Sequence, residues 1–286
     1  MQAEDRRVLA ALRRARPAIA RAAEMFRETY ASGRNVFLFG AGTSGRLAVL
    51  EAAELPPTFG TDPRRVRAVV AGGRGAVFRA REGAEDDLRA GARSAGAVRD
   101  GDLVIGVSAS SVTPFVRGAL EGARRRGART ILVTCSRRPG LARIADRVVL
   151  LEVGPEVLAG STRLKAGTAT KLALNQMTTS ALASAGKVFG PWMVDLRAGS
   201  AKLKDRAARI VAAAGGVSPR RARALLAKAG NDVKKAIVMG RTGNDAARAG
   251  RRLESAGGDL RRALASKTSG GRGEIAPTRK RDARLR

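Results

Sequence analysis

The heptapeptide GAGTSGR, residues 40–46, lies between the apolar run NVFLF and the helix-like segment LAVLEAAEL. Its three glycines fit the pattern G-x-G-x-x-G, which dinucleotide-binding folds use to seat a pyrophosphate on a helix N-terminus. Thr43 and Ser44 follow where the loop turns into the helix. Their hydroxyls and the free backbone N–H groups of the first turn are expected to converge on one anion, and a terminal phosphate monoester suits that arrangement.

A dinucleotide would need more than these glycines. It also needs an acidic residue near the end of the second strand to hold the ribose hydroxyls. The second strand here ends VVAGGRG without a carboxylate, and Asp62 comes before that strand. Arg74 keeps an NADP-type site open, because its guanidinium could face a 2′-phosphate. A Walker loop is excluded because the Gly-Lys-Ser/Thr sequence is missing.

A second group of hydroxyls follows the apolar run DLVIGVSA. Ser108, Ser110, Ser111 and Thr113 come before the helix-like segment TPFVRGALEGA, with Pro114 in its first turn. Two such loops at the mouth of one sheet would hold a phosphate group from two sides. The alternative is that the hydroxyls are ordinary helix N-caps, because Ser and Thr are preferred at that position.

The elements that must position these loops are short apolar runs that alternate with helical patterns. The runs are NVFLFG, VRAVVAGG, DLVIGVSAS, RTILVTC and RVVLLEV. This alternation predicts an α/β fold with a doubly wound, mostly parallel five-stranded sheet flanked by helices. Ligands of such sheets bind beyond the carboxyl ends of the strands, where the hydroxyl-rich loops would lie.

The chain becomes helical from about residue 162, and short helices broken by Gly-Gly, Gly-Asn and Ser-Pro follow. Ser218 before Pro219 is a predicted N-cap. No internal repeat on the scale of about 20 to 50 residues is visible. We predict an α/β domain with the phosphate-binding loops over 1–205, a small helical C-terminal domain over 206–267 and a basic disordered tail over 268–286.

The composition excludes several kinds of site. The 286 residues include no histidine, so histidine-based catalysis and histidine-ligated metal are excluded. The single cysteine, Cys135, cannot form an internal disulfide, which indicates a reducing compartment. No stretch approaches the roughly 20 apolar residues of a membrane span, and the N-terminus has no signal-peptide pattern. We therefore expect a cytoplasmic protein that does not contact a membrane.

The formal charge of +30 would attract anions of every kind, so the charge alone identifies no partner. Aromatic residues make up 3% of the chain, and the stacking surface typical of nucleic-acid readers is therefore missing. A general bias toward Arg and Ala explains much of the charge. Nucleic acid or another polyanion stays open as a partner of the tail, through Arg279, Lys280, Arg281, Arg284 and Arg286.

Several long motifs resemble one family. FGAGTSGRLAVLEAAELPPTFG, AREGAEDD, VGPEVLAGSTRLKAGTATKLALN and GKVFGPWMVD are similar, in order, to the N-acetylmuramic acid 6-phosphate etherases of the sugar isomerase (SIS) fold. The glucokinase regulatory proteins are similar to the same family but bind sugar phosphates without the etherase reaction. The resemblance implies a homodimeric, cofactor-independent lyase of peptidoglycan recycling. It would cleave the D-lactyl ether of the sugar 6-phosphate by elimination followed by addition of water.

By this resemblance the catalytic glutamates are Glu54, which would protonate the departing lactate, and Glu85, the candidate base for the C2 proton. Glu54 is expected to end the helix that begins at Ser44, because Pro56 and Pro57 follow, and the helix dipole would then disfavour its carboxylate. Glu85 lies in an acidic turn and is expected near a helix N-terminus, which would favour its ionised form.

Arg163 and Lys165 are expected either to hold an anionic group of the ligand, across a dimer, or to be ordinary surface cations of a helix. Ser111 and Val112 stand where the etherases usually have glycine and arginine, which is expected to restrict the backbone and to remove a partner for an anion. The hypotheses are therefore an etherase first, a non-catalytic SIS regulator second, and a polyanion-associated protein third.

Overall fold

The computed structural model describes residues 1–196 and 201–265. Five strands form the main sheet: β1 (Val36–Gly40), β2 (Val66–Val70), β3 (Leu103–Val107), β4 (Arg129–Thr134) and β5 (Arg147–Leu150). A short hairpin follows, β6 (Val188–Phe189) and β7 (Trp192–Met193). The helices are α1 (Gln2–Ala31), α2 (Gly42–Phe59), α3 (Leu88–Ser94), α4 (Pro114–Arg124), α5 (Lys165–Leu182), α6 (Ala201–Gly215), α7 (Pro219–Lys228), α8 (Val233–Thr242), α9 (Ala246–Ser255) and α10 (Leu260–Ala265).

The main sheet has the strand order β2-β1-β3-β4-β5, and all its neighbouring strands are parallel. Successive residues of a strand face opposite layers. In β1, Val36 and Leu38 pack against α1, α2 and α5, whereas Phe37 and Phe39 pack on the side of α4. All five predicted strands and the doubly wound parallel sheet are therefore confirmed.

The carboxyl ends of the parallel strands bring several loops to one edge of the sheet. The β1–α2 loop and the β3–α4 loop lie there side by side, because β1 and β3 are hydrogen-bonded neighbours. The segment that follows β2 also starts at this edge, since β2 pairs with the other side of β1. We call this edge the mouth of the sheet, and it gathers both hydroxyl-rich loops as predicted.

The C-terminal helices have a hydrophobic core of their own. It contains residues of α6 to α10 together with Val194 and Leu196. The predicted domain boundary between residues 205 and 206 falls inside α6. Residues 268–286, the predicted basic tail, lie outside the described residues. Of the helices in residues 1–196 and 201–265, none has both the length and the apolar character that crossing a membrane requires.

Two connections between the C-terminal helices have the same hydrogen-bond pattern. Where α7 leads into α8, the N–H of Asn231 donates to the carbonyl oxygen of Leu226 at 2.9 Å. Where α9 leads into α10, the N–H of Gly258 donates to the carbonyl oxygen of Leu253 at 2.8 Å. Both turns are thus closed by a hydrogen bond from an N–H group to the carbonyl oxygen five residues earlier, and the expectation of no internal repeat stays a prediction. The predicted N-cap Ser218 is confirmed, since its Oγ accepts the N–H of Arg221.

Candidate active site

The first loop turns sharply out of β1. A Cβ atom added to Gly40 would lie 2.7 Å from the backbone nitrogen of Gly45, and one added to Gly45 would lie 2.5 Å from Cγ2 of Val70. These contacts require glycine at both positions. Gly42 has a φ of +52°, and an added Cβ there would meet nothing within 4 Å. The space in front of α2 is therefore open to a ligand.

The start of α2 has no protein cap from its own loop. Its N-cap position is Ala41, whose methyl group offers no acceptor to the first-turn N–H groups. Thr43 and Ser44 are half-buried in that first turn. Their interpretation as ordinary N-caps therefore does not hold for this helix. The arrangement combines free backbone donors, two hydroxyls and the positive end of the helix, which together favour an anion.

The second loop is ordered by its own hydroxyls. The Oγ atoms of Ser108 and Thr113 lie 2.8 Å apart, and the backbone N–H of Ser111 donates to Oγ of Ser108 at 3.1 Å. Thr113 is the N-cap residue of α4, yet its hydroxyl pairs with Ser108 and makes no capping bond within the described residues. Ser110 is exposed at the tip of the loop. The mouth therefore presents a second uncapped helix start beside the first.

The backbone of Ser111 has a conformation that costs glycine less free energy than serine. Its φ is +61°, in the left-handed region. The residue is buried, and its Oγ accepts the backbone N–H of Leu141 at 3.1 Å, which offsets part of the cost. The neighbouring Val112 is 68% exposed at the mouth. The loop thus keeps a glycine-like backbone and presents an apolar side chain at residue 112.

The start of α5 lies beside the first loop, because a Cβ atom added to Gly167 would lie 3.5 Å from Cγ2 of Thr43. Unlike α2 and α4, this helix is capped by a carboxylate of the protein. Glu156 accepts the backbone N–H groups of Lys165 and Ala166 at 3.1 and 2.9 Å. The first turn of α5 is therefore occupied before any ligand binds.

Lys165 is 2% exposed, and it is held by the protein itself. Its Nζ donates to the carboxylate of Glu4 in α1 and to the carbonyl oxygen of Pro155 at 2.5 Å. The hydrogen bond from Lys165 lowers the pKa of the Glu4 carboxyl below its ordinary value. Both partners come from the chain, so Lys165 joins α1 to α5 and is not a surface cation. Arg163, two residues earlier, is exposed.

Glu85 is exposed in a short 3₁₀ turn, Ala84–Asp86, that follows β2. This turn folds back on the mouth, because a Cβ atom added to Gly72 would lie 3.2 Å from Cβ of Ala84. The next helix, α3, begins at Asp87, whose carboxylate accepts the N–H of Ala90 at 2.7 Å. The expected position of Glu85 just before a helix N-terminus is therefore confirmed.

The expected position of Glu54 at a helix end is wrong. Helix α2 continues through both prolines to Phe59, and Gly60 ends it in the left-handed conformation. Leu55 and Phe59 are buried on one face of this segment, so their packing outweighs the backbone hydrogen bonds that the prolines remove. Glu54 therefore does not lie at the negative end of the helix dipole. Its side chain is exposed on the last third of the helix.

A buried charged group between α2 and α5 was missed. Glu51 is 4% exposed, and its two carboxylate oxygens accept from Thr178 Oγ1 at 2.5 Å and from Lys171 Nζ at 2.7 Å. Lys171 also donates to Oδ1 of Asn175 at 2.6 Å. The sequence did carry a signal, because Glu51 falls on the buried stripe of α2 four residues before Leu55.

Cys135 follows β4 at the mouth. Its thiol donates weakly to the carbonyl oxygen of Ala166, at 3.9 Å. Burial raises the pKa of this thiol to about 12. Cys135 therefore stays protonated at neutral pH and does not supply a nucleophile.

Two family models match parts of this chain. A family model described as SIS domain matches residues 85–180, and one described as glucokinase regulatory protein N-terminal SIS domain matches residues 18–124. A phosphoheptose isomerase structure from Francisella tularensis aligns with 60% of this chain and 91% of its own, at 18% identity and a TM-score of 0.49.

Two curated relatives are similar over most of their length. The N-acetylmuramic acid 6-phosphate etherase of Gloeobacter violaceus is 48% identical over 269 residues, 93% of this chain and 88% of the relative. The protein of the same name from Symbiobacterium thermophilum is 48% identical over 82% of this chain and 79% of the relative. Identity at this level over nearly the whole chain, including the C-terminal helices, is not a likeness of fold alone. The chain belongs to the N-acetylmuramic acid 6-phosphate etherase family.

Proposed function

We propose that this chain cleaves the D-lactyl ether at C3 of N-acetylmuramic acid 6-phosphate, giving N-acetylglucosamine 6-phosphate and D-lactate. The observation that carries the proposal is the similarity to etherases over nearly the whole chain. Within it, both glutamates that the resemblance makes catalytic are present as Glu54 and Glu85. We place the reaction in the cytoplasm, because a chain whose single cysteine cannot form an internal disulfide suits a reducing compartment.

The sugar phosphate group is assigned to the mouth. Two helix starts without capping side chains, those of α2 and α4, lie side by side there. Their N–H groups would bind phosphate oxygens together with the hydroxyls of Thr43, Ser44, Ser108, Ser110 and Thr113. A dianionic monoester fits both helix ends better than the bridging diester of a dinucleotide would.

The chemistry then requires one base and one acid. In the open-chain sugar the C2 proton is acidified by the aldehyde at C1, and a carboxylate can remove it. The electron pair forms the C2–C3 double bond, the C3–O bond breaks, and the lactyl oxygen takes a proton from the acid. Water then adds across the double bond, with its hydroxyl at C3 and a proton at C2. Glu85, at the mouth, is our candidate for the base.

Glu54 cannot serve a sugar bound at the start of its own helix. It comes twelve residues after Gly42, which corresponds to about 18 Å along α2. A sugar 6-phosphate spans far less than this between its phosphorus atom and its C3 oxygen. We therefore assign the acid to Glu54 of the partner subunit, so that a homodimer holds two sites, each built from both chains.

The surface around Glu54 fits such a dimer. Leu50, one turn before it, is 44% exposed, and Ala53 and Pro57 are also exposed on this side of α2. Residues at these spacings share one helix face. The face is therefore apolar except for the glutamate, which is the composition expected of a surface that a second copy covers.

The two basic residues take different roles. Lys165 is buried and hydrogen-bonded to Glu4 and Pro155, so we assign it to positioning the start of α5 against α1 and the first loop. Arg163 is exposed and stays our candidate for an anionic group of the ligand. Its neutral substitution should raise the KM for the sugar phosphate more than it changes kcat.

The first test is D-lactate release from N-acetylmuramic acid 6-phosphate by the wild type, Glu54→Gln and Glu85→Gln. We expect release by the wild type and a loss of about 100-fold or more in each variant, the scale of a missing general acid or base. Glu82→Gln, an exposed glutamate in the same turn region as Glu85, is the matched control and should keep its activity. No release by the wild type, together with tight binding of sugar 6-phosphates, would instead identify a non-catalytic SIS regulator.

Mixing the two inactive variants tests the shared site. In a mixed dimer, one site combines Glu85 of one chain with Glu54 of the other, so it is complete. Random reassociation should therefore restore on the order of a quarter of the wild-type rate. No recovery, with subunit exchange verified by mass spectrometry, would contradict the assignment of Glu54 to the partner subunit.

A further inference from the structure

The buried charged group between α2 and α5 lies one helical turn from Glu54. Glu51, three residues before it, accepts from Lys171 at 2.7 Å and from Thr178 at 2.5 Å. Asn175 accepts a second hydrogen bond from Lys171 at 2.6 Å. Burying charges away from water is expensive, and well-packed apolar residues often stabilise such an interface better. We therefore expect this ion pair to do more than hold α2 and α5 together.

The two charges of this ion pair differ in exposure. The side chain of Glu51 is 5% exposed and both of its oxygens are used. The side chain of Lys171 is 27% exposed, and two of its three ammonium hydrogens are directed at Glu51 and Asn175. The pair therefore holds an oriented ammonium group at the surface, with one donor left for a further acceptor.

The position of Lys171 separates it from the phosphate group. Its partner Glu51 comes nine residues after Gly42, about 13.5 Å along α2, so the ammonium group of Lys171 is held well beyond the start of that helix. The backbone of Lys171 lies nearer, since Gly167, one turn before it, lies beside Thr43. Glu54 follows Glu51 by one turn, about 4.5 Å further along the helix. Both Lys171 and Glu54 reach the surface, so both can face the same ligand on the dimer side of α2 and α5.

The leaving group of the proposed reaction is an anion. Its carboxylate is separated by one carbon atom from the ether oxygen that the acid protonates. Placing this carboxylate beside the buried carboxylate of Glu51 would be unfavourable without a cation close by. At the mouth, residue 112 is an apolar valine, and Lys165 is already bound to Glu4.

We infer that Lys171 binds the lactyl carboxylate, with Glu51 and Asn175 orienting its ammonium group, and so selects a substrate that carries an acidic ether. This inference rests on the proposed etherase function. In the dimer, Lys171 and Glu54 of one chain would together bind the lactyl ether of a sugar held at the other chain's mouth. Lys171 is thereby a specificity-determining residue, while the phosphate loops recognise the other end of the molecule.

The test uses the double variant Glu51→Gln/Lys171→Met. Removing Lys171 alone would leave Glu51 buried and unpaired and could unfold the chain, whereas removing both charges avoids that penalty. We expect D-lactate release to fall about 10- to 100-fold, the range of a lost hydrogen bond to a charged group. The control Asp205→Asn/Arg209→Met removes an ion pair of α6 and should leave release unchanged.

A second readout separates substrate recognition from general damage. Exchange of the C2 hydrogen of N-acetylglucosamine 6-phosphate with solvent deuterium needs the phosphate loops and the base but no lactyl group. The double variant should therefore exchange this hydrogen at the wild-type rate, as followed by NMR. Equal losses of exchange and of D-lactate release, or no loss of release, would overturn the role of Lys171.

The same experiment tells the two proposals apart. Wild-type release of D-lactate with an unaffected double variant removes the inference about Lys171 and leaves the etherase function in place. Absence of release by the wild type removes both. A third variant, Lys171→Arg, keeps the cation beside Glu51, so partial recovery of release relative to the double variant is expected.

Discussion

Helices α2 and α4 at the mouth begin in a different way from helices α8 and α9 of the C-terminal half. At the mouth, α2 begins after Ala41 and α4 after a Thr113 that bonds to Ser108. In the C-terminal half, α8 and α9 begin at Asp232 and Asp245, whose carboxylates accept the N–H groups three residues on. An N-cap contributes about 1 kcal/mol to stability. The chain therefore caps α8 and α9 with its own carboxylates, whereas the starts of α2 and α4 keep their donors free.

Some glycines of the two halves also have different roles. In the sheet half, they allow close backbone contacts: a Cβ atom added to Gly91 would lie 2.0 Å from the carbonyl oxygen of Phe115, and one added to Gly118 would lie 2.0 Å from that of Leu88. In the C-terminal half, Gly243 ends α8 with a φ of +73° and open space around it. Glycine thus allows α3 and α4 to pack closely, and in the C-terminal half it allows the turn that ends α8.

Giving the mouth a cap of the C-terminal kind should produce the largest effect. Ala41 already has the extended backbone of an N-cap, with φ −119° and ψ 153°. Ala41→Asp should cap α2 and raise the free energy of unfolding by about 1 kcal/mol. It should also place a carboxylate where the phosphate binds, at a cost of about 4 kcal/mol for charges 4 Å apart, so kcat/KM should fall roughly 1,000-fold. Thermal denaturation and D-lactate release measure the two changes.

Ala41→Asn is the matched control, because it offers the same cap without the charge. We expect a similar gain in stability and a much smaller loss of kcat/KM. If Ala41→Asp were as active as Ala41→Asn, the phosphate group would not bind at the start of α2.

The contrast between the glycines gives a prediction on stability. Gly118→Ala would push a methyl group into the carbonyl of Leu88, so α3 and α4 must separate, at a cost of about 3 kcal/mol. Gly250→Ala, inside α9, would meet only the flexible end of Lys235 at 3.6 Å and should stabilise the chain by about 0.5 to 1 kcal/mol. Urea unfolding of both variants tests this, and equal effects would show that the α3–α4 contact is not tight.

Local signals were enough to predict the sheet, and they failed where packing between distant segments decides. The run NVFLF is apolar on both faces, as a strand covered by two layers must be, so β1 was predictable. The end of α2 was not, because the rule that proline stops a helix ignores the buried Leu55 and Phe59 that hold the last turns. A single sequence shows the prolines but not the surface against which those residues pack.

The candidate site shows the same division. Thr43 and Ser44 were predictable, because a loop between a strand and a helix fixes their place at the mouth. The partners of Lys165 and Lys171 were not, since Glu4 and Glu51 lie more than 100 positions away in the sequence. No periodicity links residues at such separations. Similarly, the distance of about 18 Å between Glu54 and the start of α2 follows from the helix being continuous from Gly42 through Glu54, which the sequence alone does not show.

Removing a cap from the C-terminal half should have the smallest effect of these changes. Asp232→Ala should lower the free energy of unfolding by about 1 kcal/mol, and Asp232→Asn by less, because asparagine also caps. Both variants should release D-lactate at the wild-type rate, since this helix start binds no ligand. However, Lys234 of the same helix pairs with Asp195, whose backbone oxygen lies where a Cβ atom at Gly60 would clash. A fall in activity without a matching fall in stability would therefore mean that the C-terminal helices help to hold the far end of α2, where Glu54 lies.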